Sequence, residues 1–278
     1  MHYLRPDTLD QALAHLQDGA SRPAAGCTDL FPATHTRVLP GPVVDVTGIR
    51  ELRGITRTEN DWRIGATTTW SDILCADLPP AFHSLQLAAR EVGARQIQNR
   101  GTIAGNLCNA SPAADGVPPL LTLDAKVELS STEGTRQLAL DQFIKGARQT
   151  DLRSGEIVTA VIVPDAAVQG RSHFLKLGAR SYLVISIAMC AARVDVQKGI
   201  VTRAALSIGA CSPVAVRLRA AEDALVGHPL DPDRVSDAAV AAALSPIDDV
   251  RADARYRSNA AAEVLRRAVA HLAAEEVA

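Results

Sequence analysis

The sequence has no C-x-x-C or C-x-x-x-C pair. Its five cysteines, Cys27, Cys75, Cys108, Cys190 and Cys211, are odd in number and far apart, which argues against a disulfide framework and against a local zinc or iron–sulfur site. Buried free thiols are the simpler expectation. No segment approaches the roughly 18 apolar residues that a membrane-crossing helix needs. The opening Met-His-Tyr-Leu-Arg-Pro-Asp has no basic stretch followed by an apolar one, so a cytoplasmic protein with no membrane insertion is expected. Blocks of like charge are absent as well: 29 basic residues against 31 acidic ones give a net charge of −2. Nothing here suggests a nucleic acid or an anionic membrane as partner.

The usual catalytic signatures are also missing. The seven histidines include no i, i+4 pair, and neither H-E-x-x-H, G-x-S-x-G nor G-x-G-x-x-G occurs. No catalytic residue and no metal ligand is therefore assigned, and a Rossmann nucleotide domain has no support. Any chemistry must come from a bound cofactor.

What the chain does have is a run of small and turn-forming residues, NRGTIAGNLCNASPAADG, from Asn99 to Gly116. Glycine permits close backbone approach, and successive main-chain N–H groups in such a run can form a concave nest for an anion. A diphosphate is a natural guest. Neither Lys nor Arg lies inside the run after Arg100, so backbone donors and charges from elsewhere would have to neutralise it. Taken alone, such a cluster is equally a surface connection. A second, smaller turn upstream, Ala24-Ala25-Gly26-Cys27-Thr28-Asp29-Leu30, suggests two loops sharing one ligand.

The 278 residues, 47% hydrophobic and 22% charged, suffice for two soluble domains. Leu9, Ala12, Leu13 and Leu16 follow helical spacing, with Thr8 and Gln11 reading as a capping box. The Gly26 turn is expected to lead through Leu30 and Phe31 into a further helix. Val43, Val44 and Val46 read as a strand, closing a small α/β unit near Arg53. Strands are expected at Trp62–Ala66, Lys126–Leu129 and Ile157–Val163, a helix capped by Thr69, and another over Phe82–Val92. A polar link from Pro164 to Gly170 marks a domain boundary. Beyond it, strand-like segments at Phe174–Leu177, Ile185–Val194 and Ala204–Gly209 precede three helices. These lie at Val216–Val226, after Asp231-Pro232, and at Arg257–Glu276. On the strand at 174–177, Leu175 and Leu177 share one face while Lys176 points to the other.

The pair AAGCTDL and NRGTIAGNLCNASPAADGVPPLLTLDA, with HFLKLGARSYLVISIAMCAARV further on, resembles the FAD-binding medium subunit of the molybdenum hydroxylases, the xanthine, carbon monoxide and nicotinate dehydrogenase family. The resemblance implies an α+β fold. A two-part FAD-binding domain of the vanillyl-alcohol-oxidase/PCMH type is expected over residues 1–166, with subdomains of about 1–53 and 54–166. A small antiparallel sheet with helices would follow as a C-terminal domain over 167–278. It also implies noncovalent FAD, with molybdopterin in a large partner subunit and [2Fe–2S] clusters in a small one. The assembly would be a dimer of heterotrimers that passes electrons to a small-molecule acceptor.

Carried over residue by residue, the resemblance implies cofactor-binding roles for Ala24, Ala25, Gly26, Cys27, Thr28 and Asp29 in the first loop. In the second loop the matching positions are Thr102, Ile103, Ala104, Gly105, Asn106, Asn109, Ser111 and Asp115. Asp115 is expected to accept from a ribose hydroxyl or adenine amine, or otherwise to form an Asx-turn before Gly116. Val158 would offer its backbone to adenine. Lys176 would lie by the flavin, its other reading being a solvated, edge-protecting lysine, and Tyr182 would pack close to the ring. Cys27 stands where many relatives carry Gly, and Ala104 where the family turn has its first Gly, which implies φ < 0 at 104. Two other functions fit the same residues: a stand-alone FAD oxidase, or a binding or assembly protein that kept the fold without the cofactor.

Overall fold

Three main sheets, each with its own helices, follow one another along the chain. The computed structural model describes residues 2–36 and 38–277. The first sheet is parallel, in the order β1 (Tyr3–Leu4), β3 (Val43–Asp45), β2 (Arg22–Ala24), with α1 (Leu9–Leu16) as the crossover between β1 and β2. Ala12, Leu13 and Leu16 of α1 pack on Val44, Val46, Ile49 and Leu52, as their spacing requires. Thr8 caps α1 by accepting from the Gln11 N–H, but the Gln11 side chain accepts from the N–H of Asp7 rather than Thr8. The expected reciprocal box is thus offset by one residue. The helix expected after Gly26 does not form. Residues 28–33 make turns, with the Phe31 and Ala33 N–H groups donating to Cys27 and Asp29. Pro32, between them, has no N–H with which to continue the ladder.

The second sheet is built from β4 (Ile55–Arg57), β5 (Asp61–Gly65), β6 (Lys126–Ser131), β7 (Gly134–Ala139) and β10 (Ile157–Pro164), in the order β4-β5-β10-β6-β7. Between β5 and β6 run α2 (Trp70–Cys75), α3 (His83–Glu91), α4 (Arg95–Gln98), α5 (Ile103–Asn109) and α6 (Val117–Thr122). The short α7 (Leu140–Phe143) and a hairpin of β8 (Ile144–Gly146) and β9 (Gln149–Thr150) follow β7. β10 is central and buried on both faces, which is why it reads as a continuous apolar run without alternation. Its register against β6 shifts between Val158 and Ala160, a bulge that bends the strand beside the cavity described below. Thr69 caps α2 in a complete capping box with Asp72.

The third sheet is an antiparallel meander of β11 (Arg171–Leu177), β12 (Ala188–Gln197), β13 (Ile200–Gly209) and β14 (Val216–Arg217), covered by α8 (Arg219–Leu225), α9 (Asp237–Ala243) and α10 (Ala254–Val277). Three expectations shift here. Val216 and Arg217 pair with β13, so the helix starts only at Arg219. Residues 185–187 precede β12 rather than belonging to it. Asp231 caps a single 3-10 turn at Pro232–Arg234, and the true helix α9 is capped by Ser236.

The second and third sheets meet across α3 and α6. Ala88 of α3 packs with Phe174, Met189, Ala191 and Ala210. Arg193 and Arg217 donate to the Thr122 and Leu121 carbonyls at the end of α6, a favourable place for cations. Arg217 is also held by Glu222 through paired bonds of 2.6 and 2.9 Å. Among the described residues no helix is long and apolar enough to cross a membrane.

Candidate functional site

The second small-residue run is not an open loop. Thr102 accepts from the Gly105 N–H as the cap of α5, and Ile103 and Ala104 donate to the Thr68 and Ala66 carbonyls. Ala104 is therefore helical and its φ is negative as expected, a backbone that any L-residue adopts. The helix ends at Ala110 in the left-handed region, φ 45°. Trp70, 1% exposed, is wedged between two glycines of the run. A Cβ at Gly101 would meet its Cδ1 at 3.2 Å, and one at Gly116 would meet its Cη2 at 2.5 Å.

The first loop lies against the second through Gly26. A Cβ there would sit 1.8 Å from the Arg100 carbonyl oxygen, so only glycine admits this approach. A side-chain bond closes the other end, with Asn109 Nδ2 donating to Asp29 Oδ1 at 2.8 Å. Between these anchors Cys27 holds φ 60°, and its thiol donates to the Ala25 carbonyl. Burial pushes this thiol's pKa up, the Asp45 charge adds to that, and Arg100 opposes it. The main-chain N–H groups of Gly26, Cys27, Thr28 and Asp29 have no hydrogen-bond partner among the described residues, which leaves a row of free donors.

The residues that carry those donors line a cavity of about 850 Å³, near the upper end of the usual range for small-molecule sites. Its lining includes Ala24, Ala25, Gly26, Cys27, Thr28, Asp29, Thr102, Ala104, Gly105, Asn106, Asn109, Ser111, Asp115, Val158 and Lys176. Ile103 is the exception among the residues singled out from sequence: its side chain is fully buried in the core of the second sheet. Tyr182 is 77% exposed, while its neighbours Leu183, Val184 and Ile185 line the wall.

Lys176 is not a solvated edge residue. Its Nζ donates to Asp115 Oδ2 at 2.6 Å and to the Glu91 carbonyl at 3.3 Å, and Ser186 donates to Asp115 Oδ1 at 2.6 Å. Both side chains of the pair are more than nine-tenths buried. Burial raises the Asp115 pKa, opposed by the Lys176 charge and by the Lys176 and Ser186 hydrogen bonds. Both Asp115 oxygens are thus engaged within the chain. The Asp115 carboxylate orients the lysine at the cavity wall.

Residues 1–166 match the FAD-binding domain of the molybdopterin dehydrogenases, and residues 173–272 the C-terminal domain of the carbon monoxide dehydrogenase flavoprotein. The chain belongs to this flavoprotein family. It is 37% identical to the FAD subunit of nicotinate dehydrogenase from Eubacterium barkeri over 82% of its own length and 80% of the relative's. It is 32% identical to the medium chain of glyceraldehyde dehydrogenase from Sulfolobus acidocaldarius over 92% of both chains. The solved carbon monoxide dehydrogenase of Hydrogenophaga pseudoflava contains a chain that superposes with a TM-score of 0.87 at 27% identity. The match covers 97% of this chain and 96% of that one. The α+β architecture, with an antiparallel sheet in its second part, is that of the family. As a member, the protein is the flavoprotein component of a molybdenum-containing dehydrogenase, an oxidoreductase whose cofactor is FAD.

The cavity suits that cofactor. The first loop has N–H groups without a partner among the described residues, a glycine sits where a side chain would force the two loops apart, and Asn106 Oδ1 is buried with no partner among the described residues. That oxygen can accept from a bound flavin nucleotide.

Several lining residues carried no sequence signal that separated them from ordinary core or turn positions. Trp70 arrives from α2 and Thr67 from the turn between β5 and α2, Gln96 and Ile97 from α4, and Leu152 and Arg148 from the hairpin region. Arg148 had one available cue, a basic residue beside a Gly-Ala turn.

Proposed function

We propose that this chain binds FAD noncovalently across its two loops as the electron-output subunit of a multi-subunit molybdenum hydroxylase, with residues 1–166 holding the cofactor and 167–278 supplying Lys176. The observation that carries this reading is the single cavity into which both loops, the β10 bulge and Lys176 converge. In it, the free N–H groups of Gly26 to Asp29 bind the diphosphate, and Thr102, Gly105, Asn106 and Ser111 surround it. Val158, at the bulge, offers backbone to the adenine, and Leu183 to Ile185 exclude water from the flavin side. Lys176, oriented by Asp115 and Ser186, places a cation where negative charge develops on reduction. When bound, FAD supplies the redox chemistry, taking electrons from the [2Fe–2S] clusters of a small partner subunit and delivering them to an external acceptor.

Among the described residues no group of His, Cys, Asp and Glu side chains is arranged to hold a metal, so we place the clusters and the molybdopterin in partner chains. We read the assembly as a dimer of heterotrimers. The five free thiols are in keeping with a cytoplasmic site. The test is the visible spectrum of the purified full chain, alone and co-produced with its partner subunits, followed by acid precipitation and chromatography of the supernatant. About one FAD released per chain supports the reading. A chain that stays colourless with excess FAD and with its partners removes it.

A further inference from the structure

Arg148 stands in the turn of the β8–β9 hairpin with φ 62°, a region disfavoured for any residue with a β-carbon. Glycine would suit that turn better, so what distinguishes arginine there is its side chain. Its main-chain N–H donates to the Ala110 carbonyl at 2.8 Å, which fixes the turn to the end of α5. Nη1 donates to the Asn109 carbonyl at 3.1 Å and also to Asn109 Oδ1. With its oxygen held in this way, the Asn109 amide must present Nδ2 to Asp29. A continuous chain of donors therefore runs from the hairpin through α5 to the first loop.

The charges lining the cavity single out the same residue. Among the described lining residues the cations are Lys176 and Arg148, and the anions are Asp29 and Asp115. Lys176 is already paired with Asp115. Arg148 makes no ion pair with a described residue, and its Nε and Nη2 donate to none. A diphosphate carries two negative charges and matches the guanidinium fork.

We infer that Arg148 is the cationic ligand of the diphosphate, held against the first loop by Asn109. This rests on the FAD reading above. The test is titration of the full apo chain with FAD, followed by flavin fluorescence at low and moderate salt, for the wild type, Arg148→Gly and Arg148→Lys. Arg148→Gly is expected to raise the Kd for FAD by about tenfold or more and to flatten its salt dependence. The apo melting temperature should change little, because relaxation of the left-handed turn offsets the lost bonds to Asn109. Arg148→Lys, which keeps the charge but not the fork, should keep the salt dependence and recover only part of the affinity. If Arg148→Gly binds FAD within about twofold of the wild type, the inference falls and the FAD reading stands. If both variants lose affinity together with apo stability, the residue is structural and the inference falls likewise. A wild-type chain that takes no FAD overturns both.

Discussion

The carbonyl oxygen of Arg100 occupies the space where a β-carbon of residue 26 would lie, at 1.8 Å. The two cofactor loops, separated by more than seventy positions in sequence, touch through bare backbone at this point. Gly26→Ala should therefore push them apart, lowering stability by about 1–3 kcal/mol and weakening FAD binding. Thermal melting and an FAD titration check this. A variant matching the wild type in both would show that the loops do not depend on that contact.

Cys27 holds a left-handed backbone, φ 60°, that glycine adopts without strain. Cys27→Gly should stabilise the apo chain by about 0.5–1 kcal/mol, the relief of strain being partly offset by the greater freedom of glycine in the unfolded chain. Cys27→Ala keeps the β-carbon and should show no such gain. Urea denaturation of the two variants side by side distinguishes backbone strain from loss of the thiol's bond to Ala25.

Lys176→Met leaves the buried Asp115 carboxylate without its cation. Removing one partner of such a pair costs about 3–5 kcal/mol while the other stays ionised. The Asp115 pKa, already raised by burial against the pull of Lys176, should rise further. For an acid whose folded pKa is raised, stability is fully present below the unfolded value and is lost as pH rises through the folded one. The deficit of Lys176→Met relative to wild type should accordingly be larger at pH 8 than at pH 5, and adding Asp115→Asn should remove most of it. A pH-independent deficit would mean that the pair does not carry the charge assigned to it.

His173 of β11 stacks on His271 of α10 with ring centroids 3.8 Å apart. Burial, then the positive fields of His271 and His83, push its pKa down to about 4, with Glu275 opposing. Between about pH 4 and the ordinary histidine value near 6.5 the unfolded chain binds a proton that the folded chain refuses. The stability contribution is thus present above about 6.5 and is lost as pH falls toward 4, amounting to about 1–3 kcal/mol. His173→Phe, which can stack but not protonate, should flatten that part of the pH–stability curve. Unchanged slopes in melts across this range would rule out His173 as the titrating group.

Much of the architecture is legible in the amino-acid pattern, because burial imposes periodicity. The α1 face, the apolar run of β10 and the alternation of Leu175, Lys176 and Leu177 each record which neighbours a residue must meet. Local chemistry misleads where one residue interrupts a pattern. Pro32 prevents the helix expected after Gly26, and Ser236 rather than Asp231 caps the helix that forms. The second loop reads as a glycine turn, yet it is mostly helix, because Thr102 caps it and Ala66 and Thr68 accept its first N–H groups.

Residue order alone establishes which segments are small enough to approach a ligand, which strands are buried, and that no metal or nucleophile signature lies along the chain. It took tertiary packing to set Lys176 against Asp115 across sixty-one positions, to bring Arg148 to Asn109 across thirty-nine, and to rest Gly26 on the Arg100 carbonyl. The physical reason is that composition and spacing encode how a residue meets water and its near neighbours. Which distant charge neutralises a buried one depends on how the sheets and helices pack, and no local pattern records that.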